Sequence, residues 1–300
     1  MDIYLYGMTL LSSINLLKEV YPQPDGYAEI NESYSLPGGE TANAAIVLSG
    51  FGYKTKIDGP FLGSKTKEPL TAHLEKFDID YSLLHFDFSF DGVQDIVLID
   101  SNSRTVFGKF QKYFGEETRR WTAPDKDSIR EAKIVSIDPF FNNESELAAR
   151  YCFELNKQYV TIDCLHDSVM HRHSAANVIS NEFIKNNYPE ENIEELFYKY
   201  AGSSDGLTVF TFGSREILYG RKDSTIKKIV PYKVNAVSTL GAGDTFRAGI
   251  IYGLLNNMSD EDTVKFAAAT AAIVCTQFPM AFNPPCVPDI LKLINEQRNS

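Results

Sequence analysis

Val237–Gly249 reads VSTLGAGDTFRAG, and this stretch decides the fold. A short apolar run (Tyr232–Val237) leads into Gly241-Ala242-Gly243. Beyond it Phe246, Ile250 and Leu254 fall at i, i+4 and i+8, one apolar stripe on a helix. Asp244 stands where that helix begins. A glycine turn running into a helix N-terminus aims backbone N–H groups at one anion, and the helix dipole adds to them. A carboxylate in that place is explained as a helix cap, since Asp is favoured there. It is equally the arrangement required where a proton is removed close to a phosphate.

Outward from this stretch, short apolar strands alternate with helices. Ile3–Tyr6, Lys56–Phe61, Lys133–Ile137, Tyr159–Asp163, Ala176–Ile179 and Leu207–Thr211 read as strands. Glu68–Phe77, Ser145–Asn156, Ile193–Tyr200 and the Ala-rich Asp260–Gln277 read as helices, and the chain ends in a helix and tail. Gly38-Gly39-Glu40-Thr41-Ala42-Asn43-Ala44-Ala45 predicts a close turn running into a buried helix. The alternation predicts an α/β fold with a mostly parallel sheet, which binds ligands beyond the carboxyl ends of its strands. Asp138, Asp163, Thr211-Phe212-Gly213 and Gly241–Asp244 all fall at such ends. Glu216–Gly220 and Thr225–Val230 read as an antiparallel excursion. Ala28–Leu36 is too polar for the middle of a sheet. With a hairpin of Val93–Asp100 and Thr105–Lys109 it forms a small separate sheet.

Composition narrows the function. With 300 residues and 43% apolar side chains the chain buries a sizeable core. A formal charge of −11 argues against a general nucleic-acid or membrane surface, so any phosphate site is built locally. Four cysteines without CxxC spacing read as reduced thiols. MDIYLYG carries no basic region followed by a long apolar one, so a cytoplasmic protein without a signal peptide is expected. Asp163, Cys164, His166, His171 and His173 fit no metal spacing and read as a solvated loop.

Two of these segments resemble the signatures of the ribokinase-like (PfkB) carbohydrate kinases. GGETANAA is similar to the family's di-glycine and Asn segment, and STLGAGDTFRAG to its DTxGAGDxFxxG segment; TFGSRE (Thr211–Glu216) adds to the match. The resemblance covers nearly the whole chain. It implies a doubly wound, mostly parallel sheet with a small β lid, as one domain over residues 1–300 with lid strands near 27–36 and 93–110. It implies ATP and Mg²⁺ as cofactors and a small sugar-like molecule as substrate. By this resemblance Asp244 is the general base, and Gly241, Ala242 and Gly243 form the anion hole. Gly39, Asn43 and Asp138 meet the substrate, and Asn181, Thr211 and Gly213 meet the nucleotide; Arg104 on the lid turn and Ser214 beside Gly213 are further substrate and nucleotide candidates. A homodimer through the lid is within the family's range.

Three positions depart from the pattern. The carboxylate usual in the first strand-to-lid connection falls near Ser12, with none between Gly7 and Lys18. Ser238 replaces the Asp that helps hold a monovalent cation, which puts K⁺ activation in question. The NxxE motif aligns with Asn181-Glu182-Phe183-Ile184, so its Glu has no equivalent, although Glu182 is near. Asp138 has a second reading as turn chemistry before Pro139, and Arg104 as a lid-turn residue. Arg247 is read as reaching a phosphate or as a solvent-facing ion pair. The alternatives to a sugar kinase are a nucleoside kinase and a catalytically weak ligand-binding or regulatory homologue. A dinucleotide-dependent oxidoreductase is excluded by the lack of GxGxxG after the first strand.

Overall fold

The computed structural model describes residues 1–101, 103–114 and 118–298. The first half runs β1 (Ile3–Tyr6), β2 (Leu10–Leu17), β3 (Ile30–Gly38), α1 (Glu40–Gly50), β4 (Thr55–Asp58), β5 (Leu62–Gly63), α2 (Lys67–Glu75), β6 (Phe86–Asp87), β7 (Gln94–Ile99), β8 (Arg104–Gly108) and α3 (Lys126–Glu131). The second half runs β9 (Ile134–Ile137), α4 (Asn143–Glu154), β10 (Tyr159–Ile162), α5 (Val169–Arg172), β11 (Ala176–Ser180), α6 (Asn181–Asn187), α7 (Ile193–Ser203), β12 (Leu207–Thr211), β13 (Ile217–Gly220), β14 (Lys227–Ile229), α8 (Ala242–Leu255), α9 (Asp260–Cys275) and α10 (Val287–Arg298).

Eight strands form the main sheet in the order β14-β13-β12-β11-β10-β9-β1-β4. The six from β12 to β4 are parallel; β13 and β14 run antiparallel at one edge. Strand periodicity explains why helices cover both faces. Ile3 and Leu5 of β1 enter one core with α1, α8 and α9, while Tyr4 and Tyr6 enter a second with α3 and α4. Among the described residues no helix is long and apolar enough to cross a membrane.

A second sheet has the order β3-β2-β7-β8 and stands apart from the first. β3, β7 and β8 answer to the expected lid strands. β2 is an addition: LLSSINLL was assigned to no element, because Ser12 and Asn15 occupy buried positions and break the apolar alternation. The hairpin turn between β7 and β8 includes Asn102, outside the described residues. The strand expected over Lys56–Phe61 is instead β4 followed, after a break, by β5. The segment read as a solvated loop is partly internal. Cys164 and His171 are buried. The His171 ring pairs with the Tyr200 carbonyl at 2.8 Å and with Asn177 Nδ2 at 2.9 Å.

Candidate active site

A cavity of about 370 Å³ lies where the carboxyl ends of β10, β11 and β12 meet the second sheet. Gly241, Gly243 and Asp244 form one wall, with Gly39, Glu40 and Asn43 beside them. The second sheet contributes Ser12, Ile14, Leu36, Asp95, Val97, Arg104 and Val106, and the strand ends contribute Asp163, Ser180, Glu182 and Thr211.

The glycine-led wall follows from local backbone chemistry. Gly241 caps α8 with φ of 75°, a left-handed conformation that glycine takes without strain. A Cβ added at Gly243 would meet nothing within 4 Å, so the backbone there is open on that side. The first N–H groups of a helix have no acceptor within it. The Ala242 N–H is already donated to the Thr239 carbonyl at 3.3 Å, and Ala242 does not line the cavity. Across from this turn, Gly39 takes φ of 86° and brings the backbone so close to Met8 that a Cβ would stand 2.5 Å from its carbonyl oxygen. That approach sets Asn43, one turn into α1, against α8.

Asn43 Nδ2 donates to Asp244 Oδ2 at 2.8 Å. Burial raises Asp244 above the ordinary carboxylate range, while the Arg247 guanidinium and the Asn43 hydrogen bond pull it partly back. Glu40 is pushed well up, first by burial and then by the charges of Asp244 and Asp138. Asp163 is also raised by burial, against hydrogen bonds from the Ser180 N–H at 2.7 Å and the Ser180 hydroxyl at 2.9 Å. Arg104 Nη1 reaches from β8 to the Thr239 carbonyl at 2.7 Å, tying the second sheet to the loop before Gly241.

Asp138 and Arg247 lie beneath the cavity rather than in it. Both side chains are 0% exposed and form an ion pair, Arg247 Nη1 donating to Asp138 Oδ1. The other carboxylate oxygen accepts from the Met8 N–H and the Thr41 hydroxyl, each at 2.9 Å, and Arg247 Nη2 donates to the Glu40 carbonyl at 2.7 Å. This corrects the solvent-facing reading of Arg247. The expected substrate carboxylate, Asp138, has its oxygens occupied by the protein itself. One ion pair thereby joins the link after β1, the strand end of β9, the start of α1 and α8.

Of the residues singled out, Asp244, Gly241, Gly243, Gly39, Asn43, Arg104 and Thr211 share one cavity; Asp138, Ala242, Asn181, Gly213 and Ser214 do not line it. Asn181 accepts from Arg215 at 3.2 Å, and Gly213 and Ser214 are exposed beyond the end of β12. Glu40, Asp95 and Glu182 line the cavity without having been singled out for it. Glu40 lay inside a quoted motif, and Asp95 carried a signal of its own: a carboxylate in the apolar alternation Val93, Val97, Ile99.

An α/β sheet with a small sheet over its strand ends, and a glycine-led helix facing the gap, is the fold of the ribokinase-type small-molecule kinases. The chain belongs to the pfkB family of carbohydrate kinases, whose model matches residues 24–285. It is 22% identical over 285 residues to a ribokinase of Lactococcus lactis, covering 90% of each chain. It is 26% identical over 312 aligned positions to a nucleoside kinase of Methanothermobacter thermautotrophicus, covering 99% of this chain and 96% of the relative. Its fold superimposes on Arabidopsis thaliana ribokinase complexed with ribose and ATP with a TM-score of 0.79 at 17% identity, covering 98% of each chain.

Proposed function

We propose that this kinase transfers the γ-phosphoryl group of ATP to a hydroxyl of a sugar or sugar-like acceptor. Asp244 takes the acceptor proton, and the N–H groups of Gly241 and Gly243 at the turn meet the charge that develops on the phosphoryl oxygens. The observation that carries this reading is the placement of Asp244, held by Asn43, at a glycine-led helix N-terminus inside the cavity.

The chemistry asks mainly for positioning and charge stabilisation. A carboxylate suffices as base because the proton leaves as the bond to phosphorus forms. Helix-dipole stabilisation alone is about 0.3–1 kcal/mol, whereas one positioned N–H donor is typically worth about 10²–10³ in rate. The turn therefore acts through aimed N–H groups more than through the dipole.

Glu182 and Asp163 are hard oxygen donors on the wall formed by the strand ends, a chemistry that fits Mg²⁺. They would hold it together with the nucleotide, and the ion would neutralise phosphate charge. Thr211 serves the same wall, with Asn181, Gly213 and Ser214 at its outer edge. Ser238 does not fit a monovalent-cation site of the family type. Its neutral hydroxyl accepts from the Leu240 N–H at 3.2 Å. Asp138 is assigned here to positioning α8 and not to substrate contact. The second sheet acts as a lid that keeps water from the transferring group. Its apolar wall of Ile14, Leu36, Val97 and Val106 also suits a nucleobase, which keeps a nucleoside acceptor as the second reading.

The test is ADP release with Mg²⁺, with and without K⁺, over D-ribose, D-fructose, myo-inositol and adenosine. Asp244→Asn should lower kcat by about 10²–10⁴-fold, the usual worth of a general base, while ATP binding persists. Undiminished turnover in Asp244→Asn would sink the assignment.

A further inference from the structure

We infer that Asp95 is the acceptor-binding carboxylate of the lid, and that it takes a pair of neighbouring hydroxyls on an uncharged sugar or polyol. This rests on the kinase reading above. Val93, just before β7, and Val97 and Ile99 of β7 are buried, and Asp95 falls in the same alternating row. An apolar residue would pack there without penalty, whereas a carboxylate must give up water. Its neighbour in register on β2 is Ser12, which lines the same cavity. Among the described residues Asp95 Oδ1 has no hydrogen-bond partner, although it is buried. Burial pushes the group up to about 6, with the Ser12 side chain pulling the other way. Such a group weakens the lid unless a donor arrives from the cavity it borders.

The rest of the wall says which donor. Besides Asp95, the cavity is lined by the carboxylates of Glu40, Asp163, Glu182 and Asp244. Among the described lining residues Arg104 is the one Arg or Lys, and its Nη1 is committed to the Thr239 carbonyl. An acceptor bearing its own carboxylate or phosphate would meet repulsion. Hydroxyls are neutral donors, and two on adjacent carbons match the two oxygens of one carboxylate.

The experiment compares wild type, Asp95→Asn and Asp95→Val on whichever of D-ribose, D-fructose, myo-inositol and adenosine the wild type phosphorylates fastest. Hydrogen bonds to a charged group predict a rise of about ten- to a hundredfold in the acceptor KM, larger than any change in kcat. The KM for ATP should stay within about twofold, since binding of the nucleotide does not involve the lid carboxylate. Tm should hold or rise in both variants, because the desolvated charge is gone. An unchanged acceptor KM in both variants overturns the assignment and leaves the kinase reading intact. A lower Tm in Asp95→Asn, or an equal rise in both KM values, marks Asp95 as a structural residue and also overturns it. Absence of wild-type turnover on all four acceptors overturns the kinase reading, and this inference with it.

Discussion

Asp244 carries its chemistry in a form that sequence displays, because the turn, the helix start and the carboxylate are neighbours in the chain. Arg247, three residues on, was not legible in the same way. Its partner Asp138 is 109 residues distant, and only the packing of α8 on the sheet makes that face of the helix internal. Removing one member of such a pair costs about 3–5 kcal/mol, since the other is left charged and buried. The titration of Asp244 gives a sharper check. Its ionised form is the base, so the rate falls as pH drops through its pKa. Burial raises that pKa above the usual value of an aspartate carboxylate. The acid limb of kcat/KM against pH should therefore lie above the ordinary carboxylate range. Asn43→Ala removes a hydrogen bond that lowers the pKa, and should move the limb further up. A limb that stays in place in Asn43→Ala would separate Asn43 from the base.

Elements were legible where periodicity was clean. The parallel strands are short and largely apolar, whereas β3 stood out by its polar residues and β7 and β8 by the turn between them. β2 escaped notice because Ser12 interrupts its cavity-facing row and a buried Asn15 interrupts the opposite one, and only pairing with β3 and β7 makes it a strand. The contact between α8 and α9 was legible in kind, from small residues, but not in closeness. A Cβ at Gly249 would stand 2.5 Å from the Ala267 Cα, and one at Gly253 would stand 2.6 Å from the Thr263 side chain. The first obstacle is backbone, which a rotamer change cannot relieve. Gly249→Ala should therefore destabilise the protein by about 1–3 kcal/mol, the usual penalty of overpacking, read from urea denaturation. A neutral or stabilising result would mean that the two helices separate easily.

At the scale of the whole molecule, strand order and the two signatures were enough to place the catalytic turn at the strand ends. What they did not show is how the cavity divides between two sheets and draws carboxylates from both. Those side chains come from β7, α1, α8, the end of β10 and the start of α6, and no local pattern records that they converge. Ligand binding at such a seam should stabilise the fold as a whole. ATP with Mg²⁺ at about 100 times its Kd adds roughly 2.7 kcal/mol to a protein that binds it only when folded. The resulting rise in Tm should be the same in Asp244→Asn as in wild type, because the substitution removes the base and leaves the nucleotide wall. A shift lost in the variant would make Asp244 part of nucleotide binding.

The hydrogen bond between Asn43 and Asp244 spans 201 positions of the chain. Closing a loop of that length costs entropy that grows only slowly with length, so the contact depends chiefly on α1 and α8 packing together. The base is thus completed only when the two ends of the sequence dock. During synthesis the amino-terminal half emerges first and holds an Asn without a base. If Asp244 is the base, recovery of activity in refolding should require α8 to have docked on α1, and activity returning before that docking would count against it.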